Sequence, residues 1–150
     1  MSKFKVQTPV IHLPSYTKYK IARAVLVKQL EGLGIMTFPQ GITLDRFYYY
    51  TNLEGWGKIF HDLTFNSNLY KKDVFDCEDY ALKAQTTCAE RYGLNAFRLC
   101  IGDIPGGKHG FNIFYSEAGF MLWEPNSGFS CSGQPFEIGE NDYKPEIVLI

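Results

Sequence analysis

Cys77, His109 and Glu124 follow one another along the chain in an order that suits thiol chemistry, a nucleophile first, then a base, then an acidic residue to orient the base. The cysteine sits inside Val74-Phe75-Asp76-Cys77-Glu78-Asp79-Tyr80-Ala81, which reads as the start of a helix. A helix amino terminus carries unpaired N–H groups and partial positive charge, which biases a thiol placed there toward the thiolate. His109 opens an apparent strand, and Glu124 belongs to the strand after it. An imidazole in such a set takes the thiol proton, and a carboxylate or amide fixes its tautomer. The Cys77 N–H is a natural oxyanion donor, and Asn66, Asn68 and Tyr70 are unranked candidates for a second.

Whether His109 and Glu124 can meet depends on the parity of the loop between their strands. An even loop pairs Tyr115 with Phe120, Ile113 with Leu122, Phe111 with Glu124 and His109 with Asn126. His109, Glu124 and Asn126 then share one face, with a His109–Glu124 diagonal of roughly 7–8 Å. An odd loop would part them. Asn126 is the alternative third member.

Each residue also has a plain structural role open to it. Asp76 is a good N-cap, Asp79 completes an acidic capping box, and the acidic neighbours of Cys77 would oppose a thiolate if left unpaired. Cys88 and Cys100 read as small buried hydrophobes, Cys131 in a Ser/Gly loop is undecided, and His12 and His61 have no supporting pattern. Glu124-Pro125-Asn126-Ser127-Gly128 is also a turn in its own right. The Cys and His spacing does not match a zinc site, and the glycines match no phosphate-binding loop. The acidic cluster at 76–79 leaves a hard cation such as calcium open, without an EF-hand loop.

The elements that must position these residues fall in two halves. Residues 4–13 read as an edge strand or extended arm around Pro9. A helix is expected from Ser15 or Thr17 to the glycines at 32 and 34, then a β-rich stretch from Met36 to Tyr50, then a short helix from Asn52. The clearest helix runs from Asp76 to Gly93, with Cys77, Ala81, Ala84 and Cys88 on one face. Strands follow at 97–101, 109–115 and 120–124, with a closing strand at 146–150. Helices first and antiparallel strands afterwards argue an α+β class. The 150 residues make one domain, 1–70 its helical and aromatic-rich half and 71–150 its nucleophile helix and sheet.

Composition narrows the function classes. Hydrophobic residues make up 45% and charged ones 21%, which is globular, and a net charge of −1 gives no field for nucleic acid or an anionic membrane. Aromatics at 16% could line a groove for an extended peptide or glycan, or simply fill the core. No apolar run reaches membrane-span length, and the first residues lack a signal-peptide pattern. Four cysteines without a paired pattern make a reduced, cytoplasmic protein the expectation.

Asp76-Cys77-Glu78-Asp79-Tyr80-Ala81 resembles the nucleophile motif of transglutaminase-like, papain-fold cysteine peptidases. His109-Gly110-Phe111-Asn112 and Trp123-Glu124-Pro125-Asn126 look like a branch found in phages and bacteria, similar also to the protease domain of the mushroom agglutinin from Marasmius. The likeness covers about residues 70–128. It implies a papain-like core with the nucleophile helix on an antiparallel sheet. The roles it implies are nucleophile for Cys77, base for His109 and orienter for Glu124. It also raises calcium, with no ligands transferable by residue. Cell-wall peptidases of the NlpC/P60 type begin their motif Asp-Cys but continue Ser-Gly, where this chain has Glu78-Asp79.

Two functions are therefore expected. One is a thiol hydrolase or acyltransferase acting on peptide or protein amide bonds through an acyl-enzyme at Cys77. The other is a non-catalytic binding or virion-associated module that keeps the same fold.

Overall fold

The structure is a computed structural model that describes residues 12–150. The arm expected at 4–13 lies almost wholly outside the described residues, and His12 and Leu13 belong to no strand. In order, the elements are β1 (Tyr19–Ala22), α1 (Arg23–Gly32), β2 (Met36–Phe38), β3 (Phe47–Tyr50), α2 (Leu53–Gly57), α3 (Cys77–Tyr92), β4 (Phe97–Ile104), β5 (Gly107–Ser116), β6 (Gly119–Trp123) and β7 (Lys144–Leu149).

The main sheet has the order β2-β7-β4-β5-β6, and β1 and β3 form a separate antiparallel pair. β4, β5 and β6 make an antiparallel meander with tight two-residue turns at 105–106 and 117–118. β7 returns antiparallel to β4, but β2 lies parallel to β7. The expected papain-like α+β core on an antiparallel sheet is thus corrected to a sheet-rich domain with, among the described residues, seven strands and three α-helices and a mixed main sheet. The physical reason is the segment after α1: Met36–Phe38 is too short to form its own hairpin and completes its ladder on the far-off β7.

Both faces of the sheet are covered, which gives three layers. On one face Leu26, Leu30, Tyr48, Phe111, Ile113, Leu122, Phe136 and Val148 pack together beneath α1. On the other, α3 lies across β4 and β5, with Trp56, Phe60, Leu63, Phe97, Phe114 and Trp123 beside it. Two covered faces explain why Phe111 to Phe114 is buried without alternation. Trp123 stacks on Phe60 with ring centroids 4.2 Å apart and donates Nε1–H to the Leu63 carbonyl at 2.8 Å, so its burial leaves no polar atom unpaired.

Helix α3 is anchored through its polar groups as well as its small ones. Ala81, Ala84 and Cys88 are buried against the sheet. Gln85 Oε1 accepts the Leu99 N–H at 2.8 Å, and Asn112 Nδ2 donates to the Ala81 carbonyl at 2.9 Å. Gly93, at φ 63°, closes the helix in the left-handed conformation. Near the amino end of the chain the expected helix gives way to β1, because Tyr19 to Ala22 pairs with β3; Ile21 fits either period, and the partner strand decides. The helix expected from Asn52 stops at Gly57, where a separate 3-10 turn carries Phe60.

Candidate functional site

Asp76 caps α3, and its N–H donates back to Asp79 Oδ2 at 3.2 Å to close the capping box. Cys77 is therefore the first helical residue, half-buried, at the positive end of a sixteen-residue helix. The helix start is set directly on β5. A Cβ added to Gly110 would lie 2.8 Å from both the Cα and the N of Glu78, and 3.1 Å from the carbonyl carbon of Cys77. Only glycine allows that approach, and the preceding residue on the strand is His109.

The β5–β6 turn holds two residues, the even case, and the pairs Tyr115–Phe120 and Ile113–Leu122 are those observed. His109 and Glu124 are both buried, and Nε2–H of the imidazole donates to Glu124 Oε2 at 2.7 Å. That bond leaves Nδ1 as the ring nitrogen available to the thiol. Glu124 sits fully buried just beyond β6, and its other oxygen accepts the Asn126 N–H at 2.9 Å. The side chain bonded to the imidazole is Glu124, while Asn126 Oδ1 accepts the Gly128 N–H at 2.9 Å and shapes the turn that holds Glu124.

Burial of the imidazole favours its neutral form, but its hydrogen bonds with Cys77 and Glu124, and their charges, outweigh this and raise its pKa to about 9. The thiol is close enough to contribute, yet in this structure it donates to the exposed Glu78 Oε2 at 3.3 Å. Glu78 thus competes with His109 as the acceptor of the thiol's hydrogen bond. The other thiols differ in environment: desolvation pushes Cys88 well above the usual thiol range and Cys100 up to about 12. All four cysteines are free.

Two neighbours escaped the sequence reading. Tyr143, just ahead of β7, donates its hydroxyl to Glu124 Oε2 at 2.7 Å, and Phe129 packs on the imidazole at 4.7 Å between centroids. Neither stands in a motif, and each reaches the site only through the fold. Asn66, considered as a second oxyanion donor, instead accepts the Asn68 N–H on its side chain and the Tyr80 hydroxyl on its carbonyl. Asn68 and Tyr70 stay exposed in the same stretch.

Asp76, Cys77 and Glu78 bring their donor atoms within 4.8 Å of one another. Calcium takes about six to eight hard oxygen ligands. Two carboxylates and a soft sulfur do not make such a cage, so the calcium raised by the motif does not fit this cluster. Among the described residues no helix is long and apolar enough to cross a membrane.

No known protein-family profile matches the chain. No curated protein matches it either. Among solved structures it is similar to a PSL1a–E64 complex, with a TM-score of 0.65 and 17% identity over 87% of this chain and 51% of that one. It is similar also to the Polyporus squamosus lectin bound to the human-type influenza-binding epitope Neu5Acα2-6Galβ1-4GlcNAc, with a TM-score of 0.56 and 17% identity over 87% of this chain and 49% of that one. The chain spans about half the length of the chains it matches. These findings correct the expected membership of the transglutaminase-like, papain-fold peptidases and of their phage branch: short motifs at 76–81, 109–112 and 123–126 carried it, and no profile supports it. They correct with it the expectation of a peptide-bond hydrolase or acyltransferase, since the Polyporus squamosus neighbour is described as a lectin. What the likeness establishes is the fold, which this chain shares with part of the Polyporus squamosus lectin chain.

Proposed function

We propose that the chain is a binding module with a glycan as its ligand class, and that it carries a reactive-thiol centre at Cys77, His109 and Glu124. The observation that carries the binding reading is the likeness over 87% of the chain to a lectin described with a bound sialylated trisaccharide. Exposed rings at Phe38 and Tyr70 offer flat apolar faces on which sugar rings stack. The test is a titration of Neu5Acα2-6Galβ1-4GlcNAc, and of the same sugar without the sialic acid, followed by calorimetry and by amide shifts. Saturable binding of either is the expected result. No shift with the sugar at about a thousandfold over a micromolar Kd would refute the reading.

A specific observation favours the thiol centre: the buried imidazole bonded to a buried carboxylate, at the foot of a helix that starts with cysteine. The PSL1a neighbour, described as a complex with E64, gives a second probe to try at this site. Limiting iodoacetamide between pH 5 and 9, with the modified residues mapped by mass spectrometry, should label Cys77 first and Cys88 and Cys100 last. Equal labelling of the four, or a Cys77 rate unchanged in His109→Ala, would sink it. The reading assigns binding and thiol reactivity, not amide-bond cleavage. Four free thiols support a reducing compartment, the cytoplasm, as the place where the protein works.

A further inference from the structure

We propose that Tyr143 is a positioning residue that holds the Glu124 carboxylate in its charged form against His109, and so sets the acid limit below which Cys77 ceases to be a nucleophile. The inference rests on the reactive-thiol reading and adds to it a member from a distant part of the chain.

Glu124 is fully buried, and a bare carboxylate in such a place is costly unless its lone pairs are met. Three donors meet them: Asn126 N–H on Oε1 at 2.9 Å, and on Oε2 both His109 Nε2–H and the Tyr143 hydroxyl, each at 2.7 Å. Two of the three come from other elements, and only the tyrosine is independent of both His109 and the local turn. Tyr143 is itself held by its ring, edge-on to Phe111 at 5.0 Å and to Phe136 at 5.1 Å. A hydroxyl has one proton to give. The proton is given to Glu124, and the Cys131 thiol lies beside the same hydroxyl.

The other titratable groups around the pair are accounted for. Cys77 faces it from the start of α3, with Asp76 and Glu78 beside the thiol in sequence, and Cys131 lies against Tyr143 in the loop after Asn126. Lys108, next to His109 on β5, is tied to Asp103 and Glu146 at the exposed end of the sheet. None of these donates to Glu124. Without the hydroxyl, the carboxylate loses a donor that favours its charge, takes up a proton at higher pH, and then no longer supports an imidazolium beside the thiolate.

Tyr143→Phe keeps the ring and removes only the donor. Two measurements test it. In protein with labelled glutamate carboxyl carbons, the Glu124 resonance should titrate about one pH unit higher in Tyr143→Phe than in the parent. In parallel, the acid limb of Cys77 alkylation should rise by about one unit, so labelling at pH 5.5 slows about tenfold while the rate at pH 9 stays within about twofold. Adding Tyr143→Phe to Glu124→Gln should change nothing further. An unchanged carboxyl titration overturns the proposal, as does slowing that is equal at every pH or that persists in the double variant. Unselective labelling of the parent protein would refute the thiol centre instead, and the carboxyl titration would still decide the role of Tyr143.

Discussion

Replacing Gly110 with alanine puts a methyl group where α3 and β5 touch. The new Cβ would stand 2.8 Å from two backbone atoms of Glu78. Ordinary contact begins near about 3.4 Å, so the first turn of α3 must retreat by about 0.6 Å or more. Side-chain rotation cannot relieve the clash, because both atoms belong to the backbone. Overpacking of this kind costs about 1–3 kcal/mol. For a domain of this size that is a fall in Tm of about 4–8 °C at the middle of the range. The same retreat draws Cys77 away from His109, and a displacement approaching 1 Å is enough to slow a positioned reaction about tenfold or more. Thermal melts, together with iodoacetamide labelling at pH 6, read the two effects separately. Gly32→Ala is the control: nothing lies within 4 Å of its added Cβ, and alanine in α1 should hold or raise the Tm. A Gly110→Ala protein that melts within about 1 °C of the parent and labels Cys77 at the same rate would refute the proposed fit of helix on strand.

Stability should fall in alkaline solution because of His109. Its pKa rises from 6.5 to about 9 on folding, so the stabilisation is fully present below about pH 6.5 and is lost as pH climbs through about 9. The loss is on the order of 3 kcal/mol at most, measured by urea midpoints at pH 6 and 9.5, and an equal loss in His109→Gln would show that another group is responsible. Glu78→Gln should raise Cys77 alkylation at pH 7 about threefold by removing a negative charge that accepts the S–H hydrogen bond and so favours the thiol over the thiolate. The gain should shrink in high salt, and slower labelling would contradict the competition inferred between Glu78 and His109.

The hairpin carrying His109 and Glu124 was readable in the sequence because side chains alternate strictly along a strand, so loop parity alone fixes which residues share a face. Helix α3 was readable for local reasons too: a capping pair at Asp76 and Asp79 opens it, and a left-handed glycine at 93 closes it. What escaped depended on partners far along the chain. Tyr19 to Ala22 became a strand because β3 was there to receive it, and Met36–Phe38 found its ladder on β7. Tyr143 has no neighbours in sequence that mark it, and its hydroxyl acquires meaning only once β7 is laid beside β4. The family assignment failed for a related reason. A few residues around a cysteine describe local chemistry that unrelated chains can share, and the fold itself is similar to about half of a lectin chain.

The parallel contact between β2 and β7 joins residues about 110 positions apart, whereas the turns linking β4, β5 and β6 span two residues each. Closing the short turns costs little chain entropy, and closing the long one costs more, so the edge of the sheet is the slow contact to make. His109 and Glu124 belong to the quick part, and Tyr143 arrives later, with the β4–β7 pairing of residues 41 to 48 positions apart. During refolding, the imidazole and carboxylate should therefore meet before the hydroxyl reaches them. Time-resolved alkylation at low pH would then act as a clock for the final step, with Cys77 becoming reactive only as β7 docks.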